Sequence, residues 1–426
     1  MTRLLPLAAC ALALGACFDD PDNTITNPRD ERIEWIYETG QGVYYGSPAT
    51  SPDGQTVYLG TSEPAQSFVP RQNYVHAVTV ATGARLWTFG LGLSEVRSSP
   101  AVGPDGSISF IAEERNASGG FVKTELVRVS SAGALVWRIE LGAAANRVDE
   151  GFSAPAVAAD GSAYVATDSL SASSSTGQIR WTRFHTGEDL RASPVVGADG
   201  TVYFAAHNVP LTAMHPDSGR VLWERTLGTS DHVHGSPAIG SDGAIYVATD
   251  ECKLFATAAD GAPLWTYDVG AGGSGCDIRS SPAIAGDGTI IFGTSNRLPR
   301  PVLFAIRPDG TLRWTYNPSG LPVDVAASSF DIYSSPAIGS DGTVYFGHEY
   351  GRIYAVDVVT GSERWVVRTD NDKGIAWSSP ALTVNGVLLI NDLEGNLHAV
   401  RTESIGLQGT AEWPRYRGTN RSAGRR

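Results

Sequence analysis

The chain has 426 residues, 42% apolar and 18% charged, with a formal net charge of −13 at pH 7 and four cysteines. An acidic balance of this kind argues against nucleic acid as a partner. No Cys-x-x-Cys-His motif offers covalent haem attachment, and no Cys/His cluster has zinc spacing.

In chain order, the first element is "MTRLLPLAACALALGAC": one Arg, then a short apolar run ending in small residues at Cys17. This pattern is a secretory signal, residues 1–16, and is too short to span a bilayer. Leu14, Gly15, Ala16 and Cys17 resemble the bacterial lipobox, which implies that Cys17 becomes the acylated N-terminus. Residues 17–33 are then the lipidated cysteine and a polar tether, "FDDPDNTITNPRDER", Phe18 to Arg32. Cys10 leaves with the signal, so if Cys17 carries lipid only Cys252 and Cys276 remain to pair, in a compartment that permits a disulfide.

Residues 34–412 repeat one phrase. Ser-Pro or Ala-Pro recurs at Pro48, Pro100, Pro155, Pro194, Pro237, Pro282, Pro336 and Pro380, at spacings of 39 to 55 residues. Each copy reads as a short Ser-Pro-Ala-aliphatic run, a turn usually holding Asp-Gly, two apolar runs, and a strand carrying Trp. Short β-branched and aromatic runs punctuated by Asp-Gly predict a four-stranded antiparallel meander. The innermost strand would hold small Ser and Ala at a crowded axis, with Pro tolerated on its channel edge. The turn aspartates Asp53, Asp105, Asp160, Asp199, Asp242, Asp287 and Asp341 lack the spacing of a twelve-residue calcium loop and read as turn residues, so no metal site is assigned. The third copy is irregular: "DSLSASSSTGQIRW", Asp168 to Trp181, leaves almost no room for a third strand.

Such meanders must stack to bury both faces. Trp35, Trp87, Trp137, Trp181, Trp223, Trp265, Trp314 and Trp365 occupy the fourth-strand position, where a large flat side chain can fill the wedge between copies. Trp35 precedes every Ser-Pro copy, and the eighth copy lacks a fourth strand. The two gaps match if the N-terminal strand completes the last blade of a closed ring. Trp413 competes for that place, but Pro414 follows it and cannot donate to a ladder. The fold class expected is therefore an all-β, eight-bladed propeller of four-stranded antiparallel blades closed by the N-terminal strand. Residues 413–426, "WPRYRGTNRSAGRR", read as a basic, solvated C-terminal tail.

The segments "AVDVVTGSERW", "AVTVATGARLW" and "AMHPDSGRVLW" resemble the tryptophan-docking motif of the PQQ-like eight-bladed propellers. That resemblance covers nearly the whole mature chain and implies the fold, but the family holds both calcium- and PQQ-dependent dehydrogenases and non-catalytic lipoproteins of BamB-like architecture. The dehydrogenases carry adjacent cysteines over the cofactor and long insertions, and this chain has neither. Their calcium ligands and catalytic Asp match no position here. In BamB-like lipoproteins the absence of Asp after the lipidated Cys, here Phe18, implies outer-membrane sorting.

The residue three before each proline falls on one face of the ring: Tyr45, Arg97, Phe152, Arg191, His234, Arg279, Tyr333 and Trp377. A basic arc, Arg191, His234 and Arg279, would face an aromatic arc, Tyr333, Trp377 and Tyr45, and such a mouth suits an anionic group together with a planar or apolar one. Acids two residues earlier (Glu95, Glu150, Asp189, Asp277 and Asp331), and Asp231 three before His234, offer a purely structural use for the arginines. Cys252 and Cys276 fall on this face as a candidate disulfide, while His207, His232, His234 and His348 form no recognisable triad. The long segments Thr61 to Tyr74 and Tyr316 to Tyr333 add loop length, and binding residues concentrate in such loops.

The reading is a non-catalytic binding or scaffold lipoprotein of the bacterial envelope, a monomeric propeller without cofactor, presenting its loop-bearing face to an envelope protein, a peptide or a small anionic ligand. The alternative is a PQQ-dependent oxidoreductase with calcium, the mouth arginines holding quinone carboxylates and Trp377 or Phe152 stacking on the rings. A carbohydrate-binding surface protein, suggested by the aromatic arc, is a weaker third.

Overall fold

The computed structural model describes residues 30–426, except 44–45, 63–71, 97, 117–120, 143–152, 185–191, 229–232, 271–275, 298–301, 319–328, 370–373, 376, 411–412, 420–423 and 425–426. The signal segment and Cys17 lie outside the described residues. Eight four-stranded antiparallel blades form a closed propeller, and no helix forms among the described residues. Blade 5 is representative: Ala238–Ile239, Ile245–Thr249, Lys253–Thr257 and Pro263–Asp268 pair in sequence order. First strands of neighbouring blades touch one another around the axis. The outermost strand alternates, as in Arg85–Gly92, where every second side chain is exposed.

Closure follows the expected route. Ile33–Glu38 pairs with Asn396–Arg401, Trp35 opposite Ala399, and completes blade 8. Blade 3 has four strands after all. Ser169–Ser173 is its third, paired with Ala163–Ala166 and Ile179–Phe184 and fully buried. Small residues lack strand propensity, but ladder pairing on both sides overrides it.

The repeated Ser-Pro phrase has a hydrogen-bonding explanation. The serine before each proline accepts a backbone N–H from the preceding blade: Ser47 donates to Ser99 Oγ, Ala154 to Ser193, Ser193 to Ser236, Ser236 to Ser281, Ser281 to Ser335, Ser335 to Ser379 and Ser379 back to Ser47, all at 2.8–3.0 Å. The chain of contacts runs round the axis and skips only the step into Ala154, which has no hydroxyl. The serine one position earlier works within its own blade: Ser98, Ser153, Ser280, Ser334 and Ser378 accept the N–H of the residue 13 later, in the second strand. Each such bond satisfies a buried donor that would otherwise cost about 1–3 kcal/mol.

The tryptophans join the blades at the periphery. Seven indoles, from Trp35 to Trp314, donate Nε1–H to a carbonyl in the last turn of the next blade at 2.7–3.1 Å. Each lies against the positive-φ glycine of that turn, as Trp223 does on Gly261. Trp365, beside the closing blade, differs: its Nε1–H donates to Glu403 at 3.3 Å, and Arg32, paired with Glu403 at 2.8 Å, sits 4.8 Å from its ring. The Asp-Gly turns use their aspartates locally, as in Asp242 accepting the Ala244 N–H and Asp199 that of Thr201.

The C-terminal segment departs from expectation. Trp413, Arg415 and Arg417 are fully buried, not solvated. The first strands present unpaired edges to the axial channel, and the tail bonds to them: Ile284 N–H donates to Trp413 O, Ile338 N–H to Pro414 O and Val196 N–H to Gly424 O, each at 2.7 Å. The tail is thus a plug across the channel edges of blades 4, 6 and 7.

Candidate functional site on the loop-bearing face

Because successive strands are antiparallel, each second-to-third-strand loop opens at the same end as each connection between blades. Val233, Ile278 and Ile332 are buried in those connections and anchor the next residue in each case: His234, Arg279 and Tyr333. Asp277 and Arg279 flank Ile278, which puts them on one side. Asp277 is fixed by reciprocal backbone bonds with Ser295.

Four of the eight mouth residues expected from the sequence can be placed, and three of them converge. Tyr333 and Trp377 stack with centroids 4.5 Å apart and planes 9° from parallel. The Arg279 guanidinium lies 5.2 Å from the Tyr333 centroid and 5.9 Å from that of Trp377. Arg279 therefore abuts the aromatic group and does not face it across the ring. Asp277 holds it from the other side at 2.5 Å, the local acid pairing that the sequence offered as a structural role. Tyr45, Arg97, Phe152 and Arg191 lie outside the described residues, as do Asp231 and His232. His348 is fully buried and accepts the Tyr350 N–H through Nδ1.

Asp250, which sequence reasoning passed over, completes the site. It bonds His234 Nε2 at 2.9 Å through Oδ2. Its carboxyl also meets that of Asp277, whose pKa burial and then the Asp250 charge push up to about 6, while bonds from His234 help hold Asp250 below the usual range despite its own burial. The Oδ1 atoms of both acids are buried without another partner, and one shared proton satisfies the pair. Cys252 and Cys276 are joined by a disulfide, Cα atoms 5.7 Å apart. Cys276 immediately precedes Asp277 and Cys252 lies two residues past Asp250, so the bond ties together the two segments that bear the acids. The sequence signal was the placement of Asp250 in the loop that faces the blade 5 to 6 connection. Among the described residues, no group of three or more His, Cys, Asp or Glu side chains is placed to hold a metal ion.

Because the folded Asp277 holds its proton more tightly than the unfolded chain does, its contribution favours the fold below about pH 4 and is lost as pH rises through about 6. Asp277→Asn removes that dependence. Its stability relative to the unsubstituted protein should rise by about 1–3 kcal/mol between pH 4 and pH 7, measured as denaturant midpoints across that range. Parallel curves would show that the acid pair does not share a proton.

The family model for outer membrane protein assembly factor BamB matches residues 71–232 and 168–404. BamB of Yersinia pestis is 27% identical over 293 residues, 54% of this chain and 72% of that protein. The serine/threonine-protein kinase AfsK of Streptomyces griseus is 27% identical over 174 residues, 40% of this chain, which spans only 20% of the kinase's length. Among solved structures, BamB from Moraxella catarrhalis superposes with a TM-score of 0.62 at 14% identity, over 86% of this chain and 98% of its own. The quinohemoprotein alcohol dehydrogenase from Comamonas testosteroni gives 0.64 at 13% identity, over 87% and 76%. These two likenesses establish the fold and do not separate binder from enzyme.

Proposed function

The chain belongs to the family of outer membrane protein assembly factor BamB, and from that premise we propose that it is a non-catalytic scaffold of the bacterial envelope whose loop-bearing face docks a protein partner. Cys17 is its proposed lipid tether to the outer membrane. The observation that carries the reading is the stacked Tyr333–Trp377 pair with Arg279 against it, half-buried on a rigid ring. Aromatic and Arg side chains of this kind anchor protein interfaces. A polypeptide fits better than a small free anion, because Arg279 already has a carboxylate at 2.5 Å with which an anion must compete.

In a strain lacking the protein, the account predicts reduced levels of folded outer membrane proteins. The full chain should restore them, and so should Ile405→Ser, altered at an exposed residue beside the opposite turns. A chain carrying Arg279→Ala and Trp377→Ala should not. Full restoration by that double variant would remove the site from the function.

A further inference from the structure

The C-terminal tail occupies the ring without being one of its parts. All eight blades take their four strands from residues 33–401 and the N-terminal strand closes the ring, so no blade borrows a strand from residues 413–426. The tail is nevertheless held along the channel in the way that a sheet edge receives a peptide. It arrives from the turn-bearing end, where Ser340 N–H donates to Gly406 O and Gln408 N–H to Ile338 O, both at 2.9 Å. The 2.7 Å bonds from Ile284, Ile338 and Val196 follow, all of them backbone to backbone, and exposed edges take up extended segments through such bonds. Three side chains add selectivity. Trp413 enters the apolar cluster that includes Ile239 and Ile284. Tyr416 Oη bonds Ser193 Oγ at 3.2 Å, and Arg417 donates through Nη2 to the Pro155 carbonyl. The composition of the segment suits an exchangeable occupant. "WPRYRGTNRSAGRR" carries five arginines, and its large apolar side chains are Trp413 and Tyr416, so once released it stays solvated with no fold of its own.

We propose that the axial channel is a binding site for an extended aromatic and basic peptide, that residues 413–424 occupy it in cis, and that the same segment of a second copy enters it in trans once the resident tail is withdrawn. The covalent link holds the resident tail at an effective concentration of about millimolar, which a dilute free peptide does not match. The intact chain is therefore self-occupied. The site is separate from the partner face and does not depend on it.

The test uses the full chain with a protease recognition sequence inserted after Gly409, which is exposed and where a Cβ meets nothing within 4 Å. The folded protein is cut there, and fluorescein-labelled "WPRYRGTNRSAGRR" is added. Anisotropy should rise and saturate with the cut protein and stay flat with the uncut one. A peptide carrying Trp413→Ala should bind about 100-fold more weakly or worse, the effect of removing a buried aromatic anchor, and a peptide of the same composition in scrambled order should not bind. Equal uptake of the scrambled peptide would reduce the site to charge attraction and overturn the proposal. So would a cut protein that takes up no labelled peptide, because the tail would then be a fixed part of the core. Should the inserted chain not fold, a chain ending at Gly409 is refolded across a titration of the unlabelled peptide. A saturable gain in folded protein or in its thermal midpoint supports the site, and no gain in either overturns it.

Discussion

Trp413→Ala is expected to destabilise the propeller by about 3–5 kcal/mol, the cost of truncating a fully buried aromatic and leaving a cavity. Trp413 lies in a C-terminal tail, where such a substitution usually does little. Here the indole is 0% exposed and belongs to an apolar cluster that includes Ala238, Ile239 and Ile284, from the first strands of blades 5 and 6. Its carbonyl also accepts from the Ile284 edge. Equilibrium denaturation of the full-length variant measures the effect. A loss under about 1 kcal/mol, the range of surface substitutions, would mean that the tail is not packed in the channel.

Gly261→Ala is expected to cost on the order of 2–4 kcal/mol, combining a left-handed backbone penalty with overpacking. Gly261 has φ +91°, and a Cβ there would stand 2.8 Å from the Trp223 ring, closer than such contacts occur. The indole is held by its bond to Ala259 O at 2.9 Å, so it cannot retreat without releasing the next blade. Gly40 provides the control. Its φ is +72°, but a Cβ meets nothing within 4 Å, so Gly40→Ala carries the backbone penalty alone, about 1–2 kcal/mol. Equal losses at the two positions would deny the blade junction its steric fit.

The features legible in the sequence were those written once per blade. Pro, Asp-Gly and Trp fix strand ends, turns and junctions by local chemistry, and Trp35 announced closure because its copy was incomplete. The third strand of blade 3 was hidden because Ser169–Ser173 is built of serines around only Leu170 and the small Ala172, with no β-branched or aromatic residue, and its two partners make it a strand. The buried tail was hidden for a related reason: the channel edges that hold Trp413 and Gly424 exist only once the ring has closed. At the mouth, the spacing from each proline identified Arg279, Tyr333 and Trp377, since all three hang from equivalent positions. It passed over Asp250, which reaches His234 and Asp277 from a different loop, and it set the aromatic group opposite Arg279 when the two are in contact.

The central claim is that partners meet the loop-bearing face, and site-specific photo-crosslinking in cells tests it most directly. An aromatic photo-reactive residue in place of Trp377 preserves a ring at that position, and the same residue in place of Ile405, 75% exposed at the opposite end, serves as the counterpart. The account predicts a discrete adduct with an envelope protein from position 377 and none from 405, with the 377 adduct lost on adding Arg279→Ala. Adducts from position 405 alone would place the binding surface on the turn-bearing face and contradict the account.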